Sequence, residues 1–260
     1  MEIIKRILKS QHKRWLVVSF FISTILLLPL IFLFSNVFNI GTSEFFYLWN
    51  TLLLDYSLNT LYLIFLACTV SLIFGIIPAW FISNYDFRFR KLLDILLYLP
   101  LAIPTYIMAF TYSDILSFTG PLQSFLRKNS PNLAEFMNKD YLQIEILGVI
   151  LGLSLYPYIY TSCRISFSLI GSSYINMSKT LGVSGTRLFF NVILPLSKPA
   201  IFSGIFLVIM EVLNEYGAVK YFGVNTYTTG IFRAWFSMGK ENTAIQLACL
   251  LLLIVFILLI

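Results

Sequence analysis

Residues 176–195 read Asn-Met-Ser-Lys-Thr-Leu-Gly-Val-Ser-Gly-Thr-Arg-Leu-Phe-Phe-Asn-Val-Ile-Leu-Pro, a polar, glycine-punctuated stretch in an otherwise apolar chain. Met177 and Leu181 stand at i and i+4, so they share one helix face and form a small apolar knob. Gly182 can end that helix by taking a positive φ. Leu188, Phe189, Val192 and Ile193 follow at helical spacing and are expected to lie back against a bundle. Pro195 and Pro199 mark entry into the next apolar run. Upstream, Ser172 or Ser173 can cap a helix beginning near Tyr174 by satisfying amides of its first turn. A long loop with two apolar faces and no catalytic side chain reads as a docking element. The competing reading is an amphipathic segment lying on a bilayer surface.

The rest of the chain supplies the bilayer. It has 260 residues, 58% hydrophobic and 12% charged, with a mean hydropathy of +0.85. Soluble domains carry about 25% charged residues, so an integral membrane protein is expected. The net charge of +6 is modest and spread along the loops, so nucleic acid is not implied as a partner, whereas membrane lipid is. Cys68, Cys163 and Cys249 lie far apart in or beside apolar segments, which reads as buried thiols rather than a disulfide framework or metal site. The one histidine, His12, sits among Lys9, Lys13 and Arg14 in a solvated basic end.

Six spans are predicted, each close to the roughly 20 residues needed to cross a hydrocarbon core. They are 15–34, 61–82, 92–112, 144–163, 200–219 and 244–260, the third interrupted by Pro100 and Pro104. Uninterrupted apolar runs of this kind read as helices, not as the alternating strands of a barrel. Twelve of the eighteen Lys and Arg residues fall in the N-terminal segment, the loop between spans two and three, and the loop between spans four and five. By the positive-inside rule these are cytoplasmic. The first span is longer than a signal-peptide core and lacks an Ala-x-Ala site, so it reads as an uncleaved anchor. Residues 250–260 run apolar to the end of the sequence, which suggests either truncation or one half of a longer permease.

The register Gly182, nine residues, then Val192-Ile193-Leu194-Pro195 resembles the EAA loop of ABC-importer permeases, E-A-A-x3-G-x9-I-x-L-P. The family's Glu-Ala-Ala falls on Asn176, Met177 and Ser178, so the acidic residue is missing here. Asn176 closes a capping box less well than glutamate, and the helix start should be weaker. The resemblance implies an all-α, type I (MetI-like) permease fold in one transmembrane domain over 1–260. Residues 171–195 would then form a coupling loop that seats Asn176, Met177, Ser178, Leu181, Gly182, Arg187 and Pro195 against a cytoplasmic ATPase dimer. It also implies a multi-pass protein of the bacterial inner membrane with a cytoplasmic N-terminus. A second permease half, as a homodimer or a fused or partner half, and a periplasmic or lipoprotein solute-binding protein complete the partners. No Gly-x4-Gly-Lys-Ser/Thr sequence occurs, so no cofactor is expected in this chain, and ATP would sit on the partner.

Three further stretches resemble ferric-iron permeases, in particular the N-terminal half of fused double-length chains. They are the Pro-rich 97–106, Gly120-Pro121-Leu122, and 211–235, Glu-Val-Leu-Asn-Glu-Tyr-Gly-Ala-Val-Lys onward. Permeases for phosphonates, thiamine and polyamines share parts of this pattern. Glu211, Asn214 and Glu215 fall on one face of span five, where a rise of about 1.5 Å per residue puts Glu211 past the midplane and Glu215 near the outer mouth. Ferric iron prefers hard oxygen ligands, and Tyr106, Tyr112, Tyr156 and Tyr158 offer more. Intramembrane carboxylates are costly and usually functional. The alternative is that Glu215 pairs with Lys220 or Arg233 and fixes the helix. Pro78, Pro100, Pro104 and Pro157 can kink their spans, as path-lining or as tolerated breaks. Outer loops 120–139 and 223–235 would receive the binding protein. Of the rivals, a membrane enzyme lacks a histidine or metal constellation in the spans, and a secondary transporter needs no coupling loop.

Overall fold

The computed structural model describes residues 13–37, 43–170, 172–183 and 185–259, and every regular element among them is helical. The chain divides into two compact units, one of residues 1–51 with 231–260, the other of residues 52–230.

The larger unit is built on two long helices, Leu53–Asn84 and Ile144–Leu169. In the membrane, lipid is as apolar as leucine, so helices associate through close packing rather than hydrophobic transfer. The sequence provides for that with small residues. An ideal Cβ on Gly152 would sit 2.5 Å from Val70 Cβ and 2.9 Å from the Ala67 carbonyl. The approach also lets Ser71 Oγ donate to the Gly152 carbonyl at 2.9 Å. Helix Lys198–Asn214 closes the bundle, with Gly204 against the Ile159 backbone (2.8 Å from an added Cβ to Ile159 Cα). The buried centre is Leu63, Ala67, Leu147, Leu151, Ile159, Cys163 and Val208.

In the smaller unit, helix Lys13–Val37 packs beside helix Glu241–Leu259, and Cys249 Sγ donates to the Leu33 carbonyl at 3.7 Å. No residue of Trp15–Ser35 is buried within the chain.

Three described helices, Trp15–Ser35, Leu53–Asn84 and Ile144–Leu169, are long and apolar enough to cross a membrane, and two bent pairs bring the number to five. The sixth predicted span falls on the shorter apolar helix Glu241–Ile257. Two predicted spans differ from expectation. The third is not a straight helix but breaks into Arg90–Leu96, a 3-10 turn Leu99–Ala102 and helix Thr105–Leu116, with a 95° bend. Pro100 and Pro104 cause the break. Proline disfavours the helical region for the residue before it, and Ile103 is accordingly extended at φ −107°, ψ 122°. The fifth span ends at Asn214 rather than 219, because Glu215 turns extended and a separate five-residue helix, Gly217–Tyr221, begins. Pro78 and Pro157 stay inside unbroken helices.

Candidate functional site

Helix Ser172–Thr180 opens the 171–195 loop, so both serines lie within the helix rather than ahead of it; their side chains, like residue 171, fall outside the described ones. Ser178 Oγ bonds back to the Tyr174 carbonyl at 2.8 Å and Thr180 Oγ1 to the Met177 carbonyl at 2.7 Å, turning the helix's polar groups inward upon itself. What projects is apolar: Met177 is 64% exposed and Leu181 80%. Asn176 and Arg187 are exposed as well. Gly182 ends the helix at φ 79°, and the Val183 amide reaches back to the Ser178 carbonyl at 2.9 Å. A second left-handed glycine, Gly185 at φ 59°, follows. Sequence reasoning passed over it, although its Gly-x-x-Gly spacing from Gly182 was the available signal.

The returning segment is anchored. Leu188 and Ile193 are buried, and a π-helical turn spans Phe189–Ile193. Phe189 meets Trp80 of the second span at 5.2 Å and Phe167 of the fourth at 6.4 Å, ring centre to ring centre. Ser166 Oγ donates to Ser197 Oγ at 3.0 Å. Pro195 is exposed beside a 71° bend into helix Lys198–Asn214. The loop therefore presents an apolar knob at one end and grips two spans at the other.

The residues expected along span five separate into two places. Glu211 is exposed, and Tyr158 of the fourth span donates its hydroxyl to Glu211 Oε1 at 3.0 Å. Glu215 is half-buried and fully engaged: Thr105 Oγ1 donates to Oε2 and the Ala218 amide donates to Oε1 at 2.9 Å. Its own carbonyl accepts from Thr228 Oγ1 at 3.1 Å. Glu215 thus starts the helix Gly217–Tyr221 and ties the Pro104 break to the end of span five. Lys220, a partner proposed for it, lies instead over the Tyr216 ring at 5.3 Å. Tyr106 is exposed and packs where a Cβ on Gly217 would come within 2.9 Å. Tyr156 faces Phe74 at 6.5 Å between ring centres, and Asn214 is an exposed helix end. Among the described residues, no group of three or more His, Cys, Asp or Glu side chains is placed to hold a metal ion.

A third cluster escaped the sequence reading. Asp94 accepts from Tyr160 at 2.6 Å and forms an ion pair with Arg164, and Ser83 donates to the Arg164 carbonyl at 3.3 Å. Asp94 was visible as a charge inside an otherwise apolar run. Its partner, 70 residues on, was not.

Residues 71–260 match the family described as binding-protein-dependent transport system inner membrane component. The chain is 28% identical to the sulfate transport system permease protein CysT of Salmonella typhimurium over 206 residues, 79% of this chain and 72% of that protein. It is 28% identical to the molybdate/tungstate transport system permease protein WtpB of Methanocaldococcus jannaschii over 195 residues, 74% of this chain and 71% of that one. It is 26% identical to the Fe(3+)-transport system permease protein FbpB 2 of Haemophilus influenzae over 196 residues, 75% of this chain but 34% of that protein. In structure it is similar to a bacterial ABC transporter involved in the import of the acidic polysaccharide alginate. The TM-score is 0.74 at 21% identity, covering 97% of this chain and 96% of the other.

Proposed function

The chain belongs to the family of binding-protein-dependent transport system inner membrane components, and is thus a permease subunit of an ABC importer whose ATPase is a separate subunit; from that premise we propose that it moves ferric iron across the bacterial inner membrane by ATP-driven alternating access. Glu211 carries the cation reading. An exposed carboxylate on an apolar helix is costly against lipid, so it needs water or another chain opposite it, as on a path shared with a second permease half. Its charge attracts a cation and repels a dianion. The three stretches similar to ferric-iron permeases support the same ion. Sulfate or molybdate is the second reading, favoured by relatives of those names that align over most of their own length.

In this account Asn176, Met177, Ser178, Leu181, Gly182, Arg187 and Pro195 meet a cytoplasmic ATPase dimer that holds the ATP. The outer loops 120–139 and 223–235 meet a solute-binding protein. Glu211, Asn214, Tyr106 and Tyr156 line the path together with Tyr158, while Glu215 serves as a strut at its outer end. Glu211→Gln keeps size and hydrogen-bonding capacity but removes the charge. It should slow uptake of radiolabelled ferric iron roughly 10-fold, the effect of losing about 1.4 kcal/mol, with normal complex assembly. Unchanged iron uptake alongside saturable sulfate or molybdate uptake would replace the cation with an oxyanion. Poor assembly would make Glu211 a strut.

Sidedness has its own test. Cysteines at the exposed positions Thr186 and Asn129 should react with membrane-impermeant maleimide from opposite faces, Thr186 only from the cytoplasm. Labelling of both from one side would overturn the topology.

A further inference from the structure

Where residues 86–89 and helix Arg90–Leu96 meet Arg164 of the fourth span lies a cleft of about 640 Å³, lined by Asp86, Arg88, Arg90, Lys91, Asp94 and Arg164 together with Phe87, Phe89 and Leu92. Its two carboxylates are already committed: Asp86 pairs with Arg90, and Asp94 with Arg164 and Tyr160. Arg88 and Lys91 are exposed and form no ion pair among the described residues, Arg88 lying 5.7 Å over the Phe89 ring. The cleft therefore carries two cations in excess of its anions. Arg164 Nε is buried and has no hydrogen-bond partner among the described residues, but the Arg164 charge is met by Asp94, so the excess lies on Arg88 and Lys91.

Depth and surroundings select the ligand. The second span has 32 residues, roughly 48 Å at helical rise, against a hydrocarbon core of about 30 Å. The helix is thus longer than the core, and the basic residues that follow Asn84, namely Arg88, Arg90 and Lys91, set that end at headgroup level. The surface beside the cleft is apolar, with Phe89 60%, Leu92 55% and Ile95 69% exposed, as suits acyl chains. Arginine and lysine at that depth complement phosphate.

We propose that this cleft binds the phosphate headgroup of one anionic membrane lipid, with Arg88 and Lys91 on the phosphate and the acyl chains along Phe89, Leu92 and Ile95. A lipid so held would brace the break that begins span three. The inference rests on membrane residence alone, not on the identity of the transported ion.

Native mass spectrometry of the full chain in detergent, titrated with phosphatidylglycerol or phosphatidylcholine, tests it. One phosphatidylglycerol should be retained and phosphatidylcholine should not. Arg88→Gln with Lys91→Gln should weaken retention roughly 10- to 30-fold, as expected from about 1 kcal/mol for each cation near an anionic headgroup. The charge-conserving pair Arg88→Lys with Lys91→Arg should restore it, and helix content by circular dichroism should match across all three proteins. Equal retention of both lipids, or unchanged phosphatidylglycerol retention in the glutamine pair, would overturn the proposal. So would displacement by inorganic phosphate, which would mark a site for soluble anions. Loss of ATPase capture with lipid retention intact would mark a protein contact and overturn it equally.

Discussion

Gly182→Val is expected to leave the protein folded in the membrane and yet cut ATP-driven transport at least 10-fold. The expected loss follows from backbone geometry. Gly182 sits at φ 79°, and an added Cβ there meets nothing within 4 Å. The penalty is therefore conformational and not a clash. A β-branched residue in the left-handed region costs roughly 1–2 kcal/mol, too little to unfold the bundle. It is enough to let the turn after Thr180 relax elsewhere, which would carry the Met177–Leu181 knob away from its partner. Gly182→Asn provides the control, because asparagine tolerates the left-handed region better than other side chains. Transport and stimulated ATP hydrolysis should largely survive Gly182→Asn and fall by at least 10-fold in Gly182→Val, taking loss of more than about 1.4 kcal/mol of coupling as the threshold. If the valine variant transports normally, Gly182 does not shape a docking loop.

Gly152→Leu should do the reverse and remove the folded protein itself. The site has no room: Val70 Cβ and the Ala67 carbonyl already stand closer to an added Cβ than real side chains approach. A leucine would push Leu53–Asn84 away from Ile144–Leu169, breaking the Ser71 bond to the Gly152 carbonyl and opening the packing that holds the bundle in lipid. We expect about 3 kcal/mol of destabilisation, the upper end for overpacked cores. The readouts are the yield of extractable monodisperse protein and its thermal unfolding midpoint. Moving the small residue across the interface, with Gly152→Ala plus Val70→Gly, should recover part of the stability lost in Gly152→Ala alone. Recovery stays incomplete because the Ala67 carbonyl does not move with Val70. An unchanged midpoint in Gly152→Leu would mean that the two helices do not pack as described. Together the two glycines separate coupling from folding, since Gly182→Val should spare the fold that Gly152→Leu destroys.

How far the sequence alone reached depended on whether the signal was local. Runs such as 61–82 and 144–163 needed only hydropathy, and the helices there merely extend further at their ends. The Gly182 turn was legible because a single residue type carries its φ. The break at Pro100 and Pro104 was visible as an interruption, but the 95° change of direction was not. It depends on what the following segment packs against, and Thr105 reaching Glu215 across 110 residues leaves no trace in a local pattern. The same reason hid the hydrogen-bond partners of Glu215: the nearby cations Lys220 and Arg233 were in view, whereas the Thr105 hydroxyl and the Ala218 amide were not. Glu211 and Tyr158 were each noted for their oxygens, yet only the packing of helix Lys198–Asn214 on Ile144–Leu169 brings them together. The Asp94, Tyr160 and Arg164 cluster shows the converse, since its charges sat in plain sight at a span boundary and their proximity came from the fold.

The most direct test of the account is substrate uptake by proteoliposomes holding this permease with its second half, its ATPase and its binding protein. Radiolabelled ferric iron should accumulate only when ATP and the binding protein are both supplied, each on its own side of the bilayer, and accumulation should fall at least 10-fold with Gly182→Val. Accumulation driven by an ion gradient with no ATP present, and indifferent to Gly182→Val, would contradict it.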